Sequence, residues 1–167
     1  MSAKSPEFQD VLAKGEQSEY WDLFLTKDKI FPNGLSDEDR EKIYRPRPGS
    51  CFSNYTVADN NTVEFWTTFT SNQIDIDVNS ARGKQYLTDI LQTFSENNVS
   101  IIRLDAAGYA LKKAGTSCFM TEDTFDFIND LTIKANSLGI ETLVEIHSYY
   151  KTQIEIAKRV DQVYDFA

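Results

Sequence analysis

Residues 99–105, Val-Ser-Ile-Ile-Arg-Leu-Asp, and residues 140–147, Ile-Glu-Thr-Leu-Val-Glu-Ile-His, decide the reading of the fold. Each is a short apolar run of the buried, parallel-sheet type, and each brings an acid, Asp105 or Glu145, to its end. Between them, Thr121 to Leu138 predicts an amphipathic helix with Phe125, Phe127, Ile128, Leu131 and Ile133, ended by Gly139. Upstream, residues 80 to 97 predict a helix with Tyr86, Leu87, Ile90, Leu91 and Phe94 on one face. Downstream, a helix around Thr152 to Arg159 leads into a third strand within residues 160–166. Helix and strand alternate as in parallel βα units, so the fold class is α/β.

The rhythm before residue 80 is different. Ser5-Pro6-Glu7 is a helix start, with serine at the cap and proline at the first helical position, and the helix runs to about Lys14. An aromatic run, Tyr20 to Leu25, stops at the turn Pro32-Asn33-Gly34, and Ser36 caps an acidic segment. From Arg45 to about Thr70 come Pro/Gly turns and short β-rich runs. Residues 1–79 are thus expected to form a small irregular α+β domain, and residues 80–167 the βα units.

A chain of 167 residues with 41% hydrophobic and 26% charged residues has the balance of a soluble globular protein. Its net charge of −9 repels phosphate backbones and anionic lipid, which argues against nucleic acid and membrane surfaces as partners. No run approaches the ~20 apolar residues of a bilayer span, so a cytoplasmic location is the expectation. Cys51 and Cys118 stand far apart without metal-ligand spacing and read as free thiols.

If the two strands are parallel neighbours joined by a right-handed crossover, Asp105 and Glu145 emerge at the same carboxyl edge of the sheet. Two carboxylates about 5 to 5.5 Å apart can break a glycosidic bond with retention, one as nucleophile and the other as acid and then base. Arg103, two residues before Asp105, points to the same side of its strand and would keep Asp105 ionised. Glu145 has no such cation nearby in sequence, which makes it the proton donor. Acids at strand ends also cap helices and pair with surface cations. His147, as a single histidine, defines no metal site.

Ile101-Ile102-Arg103-Leu104-Asp105-Ala106-Ala107-Gly108-Tyr109 resembles the nucleophile strand of the α-amylase superfamily of glycoside hydrolases and transglucosidases. Glu145-Ile146-His147-Ser148-Tyr149-Tyr150 resembles the acid/base strand of its sucrose phosphorylases. Tyr44-Arg45-Pro46-Arg47-Pro48-Gly49, Gln73-Ile74-Asp75-Ile76-Asp77, Ala114 to Thr121 and Val163 to Ala167 are similar to that group as well. The resemblance implies a partial (β/α)8 barrel, about strands 4 to 6 with their helices, preceded by a small domain inserted after strand 3. It implies Asp105 as nucleophile, Glu145 as acid/base and Arg103 as the residue that orients the nucleophile. His147, Tyr109, Phe69, Gln73 and Arg47 match positions near the sugar or phosphate subsites. For Phe69 and Tyr109 the competing reading is ordinary packing, and for Gln73 and Arg47 a solvated surface role.

The implied reaction is reversible phosphorolysis, in which sucrose and phosphate give glucose 1-phosphate and fructose with neither metal nor organic cofactor. A third catalytic acid and the groups that grip glucose have no counterpart here. The expectation is therefore an inactive internal fragment of a longer enzyme, with room for a homodimer of the full-length form. Rival expectations are a related phosphorylase, a sucrose hydrolase, and a non-catalytic carbohydrate-binding piece.

Overall fold

The computed structural model describes residues 1–164; Asp165 and Phe166, which end the expected third strand, and Ala167 lie outside the described residues. The chain forms two compact units, Met1–Tyr86 with Lys112–Cys118, and Leu87–Leu111 with Phe119–Ala167.

In the first unit, α1 (Pro6–Lys14) starts where the Ser5 hydroxyl accepts the N–H of Phe8, which satisfies one of the donors a helix start leaves unpaired. Its apolar stripe buries Phe8 and Val11 among Leu23, Phe24, Val57, Phe65 and Ile74. The Phe8 ring meets Phe24, Tyr55 and Phe65 edge-on at 4.9 to 5.0 Å, the arrangement that the ring quadrupole favours. Two short helices follow, α2 (Lys27–Ile30) capped by Thr26 and α3 (Asp37–Lys42) capped by Ser36. Asp37, Glu38 and Asp39 fill the first turn of α3 and Arg40 and Lys42 lie in its last, which suits the helix dipole. An antiparallel hairpin, β1 (Phe52–Thr56) and β2 (Thr62–Trp66), sets Phe52 opposite Trp66. Lys112–Cys118 completes the unit, with Cys118 buried beside Leu25, Phe31, Ile43, Cys51 and Trp66. Both thiols are free.

The second unit is built on β3 (Ile101–Leu104), β4 (Glu141–Glu145) and β5 (Gln162–Tyr164), parallel and in the order β3-β4-β5. Three helices accompany them: α4 (Ala81–Glu96), α5 (Glu122–Ser137) and α6 (Tyr150–Ala157). Ser80 accepts the N–H of Gly83 at the start of α4, and Thr121 caps α5, which stops before Gly139 at a φ of 77°. Phe125, Ile128, Val144, Ile146 and Ile156 form one core cluster and Leu91, Ala135 and Ile140 another. The buried Thr132 and Thr142 hydroxyls meet at 3.0 Å, and Asp161 accepts the N–H of Thr142 at 2.8 Å.

Three expectations need correction. Ile133 is 60% exposed, because the buried stripe of α5 runs through Phe125, Ile128, Thr132 and Ala135, and one residue is about 100° of helix. Phe94 lies at the solvent edge of α4, 37% exposed. The apolar run at 99–104 is not a strand buried on both faces: β3 alternates, with Ile101 half exposed and Ile102 partly buried. β3 pairs with β4 at the end of the strand order, and an edge strand is covered less than a central one. Among the described residues no helix is long and apolar enough to cross a membrane.

Candidate active site

β3 and β4 pair in parallel with Arg103 opposite Leu143 and Leu104 opposite Val144, so Asp105 and Glu145 follow at the same carboxyl edge. Pleating sends Arg103 and Asp105 to one side of β3. One guanidinium nitrogen, Arg103 Nη2, donates to Asp105 Oδ1 at 2.5 Å and to Glu145 Oε2 at 2.6 Å. The two carboxylate oxygens are thus no farther apart than those contacts together. Glu145 Oε1 lies 3.0 Å from His147 Nε2, and Oε2 also accepts the Ala106 N–H at 3.3 Å. That N–H is aimed by a left-handed turn at Ala106, φ 50° and ψ 34°, a conformation that costs a residue with a Cβ.

The two acids sit in different surroundings: the Asp105 side chain is 71% exposed and that of Glu145 only 10%. Their mutual hydrogen bond raises the Asp105 carboxyl above its ordinary range, with desolvation adding to it and Arg103 opposing. The same bond with Asp105 pulls Glu145 down to about 2; burial opposes, while His147, the Ala106 amide and Arg103 assist. In sequence Glu145 has no cation near it; in the fold Arg103 serves both acids across the strand pair.

Tyr109 lies in the 3-10 turn Ala107–Tyr109 that follows Asp105, its ring 4.4 Å from that of Phe119. Gly108 in the same turn has no room for a side chain, since a Cβ would stand 2.5 Å from Met120 Sδ. In the first unit Arg47 and Phe69 line a cleft of about 180 Å³ together with Arg45, Ser53 and Thr67. Arg47 and Gln73 are exposed, and Gln73 Oε1 accepts from the Thr70 hydroxyl at 3.2 Å. The site residues thus fall into two groups, one around Asp105 and Glu145 and one around the cleft. Sequence reasoning missed Ala106, whose contribution is a backbone N–H and whose side chain carries no signal. Among the described residues no group of three His, Cys, Asp or Glu side chains is placed to hold a metal ion.

A scan against protein-family models found no match. Against the sucrose phosphorylase of Agrobacterium vitis the chain is 56% identical over all of its 167 residues. Along its whole length the chain is sucrose phosphorylase-like. It spans about a third of the length of the curated relatives it matches, 34% of that sucrose phosphorylase. The crystal structure of sucrose 6F-phosphate phosphorylase from Thermoanaerobacter thermosaccharolyticum superimposes with a TM-score of 0.92 at 38% identity, over 98% of this chain and 35% of that one. Trehalose-6-phosphate hydrolase from Bacillus licheniformis, 16% identical, shares the fold with a TM-score of 0.74 over 99% of this chain and 31% of its own. These neighbours are α-amylase-family (β/α)8 enzymes, and the helices and small sheet of the sucrose phosphorylase-like chain are consistent with part of such a domain.

Proposed function

We propose that this chain supplies the nucleophile and the acid/base of a retaining α-glucosyl enzyme that reversibly converts sucrose and phosphate into α-glucose 1-phosphate and fructose. The observation that carries the reading is the pair of carboxylates, Asp105 and Glu145, held at one sheet edge on a single nitrogen of Arg103. The 56% identity to a sucrose phosphorylase supports it.

Asp105 attacks the anomeric carbon while Glu145 protonates the departing fructosyl oxygen, leaving a β-glucosyl ester on Asp105. Phosphate then attacks that carbon, displacing the Asp105 carboxylate and giving its own proton to Glu145, and two inversions restore the α configuration. The entering glycosidic oxygen replaces Asp105 as hydrogen-bond partner of Glu145, which removes the leading cause of its depressed carboxyl and lets it carry the proton, while Asp105 is the anion facing Arg103. His147, Tyr109, Phe69, Gln73 and Arg47 contribute to the sugar and phosphate subsites. In this reading β3 to β5 are about the fourth to sixth strands of a (β/α)8 barrel, residues 80–167 belong to that barrel, and residues 1–79 form the domain inserted before them. The remaining strands and the third acid come from other parts of a longer protein.

A second reading, with a phosphorylated sugar as substrate, is favoured by the likeness to sucrose 6F-phosphate phosphorylase. Product analysis of the complete protein with sucrose or sucrose 6-phosphate, each with and without phosphate, separates them. Glucose 1-phosphate supports the first reading, turnover of sucrose 6-phosphate alone the second, and free glucose a hydrolase. Asp105→Asn should lower turnover by about a thousandfold or more with circular dichroism unchanged; retained turnover would favour a non-catalytic, carbohydrate-binding role.

A further inference from the structure

Lysine is seldom buried completely unless its charge is met, yet only 1% of the Lys112 side chain is exposed. Its ammonium donates to Thr68 Oγ1 at 2.9 Å, stands 3.1 Å from Asp75 Oδ2, and lies 5.3 Å from the centroid of the Trp66 ring. Asp75 closes the arrangement. Its Oδ1 accepts the backbone N–H of Thr68 at 3.0 Å, its Oδ2 accepts the Thr68 hydroxyl at 2.5 Å, and its own N–H donates to the Trp66 carbonyl at 2.9 Å.

Thr68 and Asp75 are the two ends of one loop, tied to each other and to one buried cation. Between them lie Phe69 and Gln73, and within the loop the Gln73 N–H donates to the Thr70 carbonyl at 2.9 Å. A side chain on an exposed loop binds well only if the loop is ordered beforehand, because ordering it on binding subtracts from affinity. The loop's own residues include no lysine or arginine to balance Asp75, so the cation comes from the distant segment Lys112–Cys118.

We propose that Lys112 is a positioning residue: its buried ammonium cinches the base of the Thr68–Asp75 loop and so holds Phe69 and Gln73 in place for the sugar. This rests on the reading that Phe69 and Gln73 belong to the substrate site. Methionine at 112 would fill much of the same space but offer no donor and no charge, so the substitution separates the ammonium from its bulk.

The test uses the complete protein, with kcat, KM for sucrose, melting temperature and amide hydrogen exchange measured for each variant. Lys112→Met is expected to raise KM about tenfold or more with a smaller change in kcat. Exchange across Phe69 to Gln73 should speed up by a similar factor. Thr68→Val should follow it, and Thr68→Ser, which keeps the hydroxyl, should recover most of the lost affinity. Lys113→Met, at an exposed neighbour, should leave both constants unchanged. A wild-type KM in Lys112→Met, whatever its melting temperature, overturns the proposal. Should that variant fail to fold, equal KM values for Thr68→Val and Thr68→Ser overturn it instead. If the wild-type protein does not turn over sucrose, the functional reading fails; the exchange comparison then decides the loop-holding role, and unchanged exchange in Lys112→Met, or in Thr68→Val if Lys112→Met does not fold, rejects it.

Discussion

Arg103 ties the two acids together. Its contact with Asp105 is local, two residues along one strand, and the alternation of a pleated strand was enough to predict it. Its contact with Glu145 spans 42 positions and depends on β3 and β4 pairing in register, which no window of sequence contains. The left-handed turn that aims the Ala106 amide was equally hidden, because alanine carries no preference for it. Since the hydrogen bond with Glu145 is the leading cause of the raised Asp105 carboxyl, Glu145→Gln should return Asp105 toward the ordinary aspartate range. Carboxyl NMR titration reads this, and an Asp105 midpoint that stays raised would contradict it. Stability follows with opposite signs. The depressed Glu145 contributes stability that is present above its ordinary value of 4.5 and lost as pH falls toward about 2. The raised Asp105 favours the fold below its ordinary 3.8, and that contribution is lost as pH rises through its folded value.

At the scale of elements, caps and stops were the most legible features. Ser5 and Ser36 each accept a backbone N–H at a helix start, and Gly139 follows the end of α5 with a positive φ; Thr121, counted within the expected helix, is its cap. Such signals are local chemistry between a side chain and the backbone beside it. The phase of α5 was less legible: its stripe passes through buried Thr124 and Thr132, which a count of apolar residues skips in favour of Ile133. Gly83 shows propensity and packing pulling apart. Alanine is the better helix former by up to about 1 kcal/mol, but a Cβ at Gly83 would stand 1.9 Å from the Asp77 carbonyl oxygen. A backbone oxygen cannot swing aside as a side chain can, so the clash should win. Gly83→Ala is expected to destabilise the protein by about 1–3 kcal/mol in urea denaturation, and a variant more stable than wild type would show that the loop before α4 yields freely.

For the molecule as a whole, the chain covers about a third of its sucrose phosphorylase relatives, and Asp105 and Glu145 are two acids of a larger site in our reading. The 167-residue chain alone should give no measurable glucose 1-phosphate from sucrose and phosphate, because orientation and transition-state contacts come from elsewhere; turnover near that of the complete protein would refute this. The amino-acid order by itself determined the helix caps, the alternation of helix and strand after residue 80, and the presence of an acid at each strand end, since each depends on neighbours within a turn or a pleat. Only the tertiary structure decided that one guanidinium nitrogen serves both acids, that the Asp105 carboxyl is raised and the Glu145 carboxyl depressed, and that Lys112 is buried under the Thr68–Asp75 loop. Those depend on strand register, on differences in solvent exposure, and on packing between segments far apart in the chain, and these arise only when the chain closes on itself.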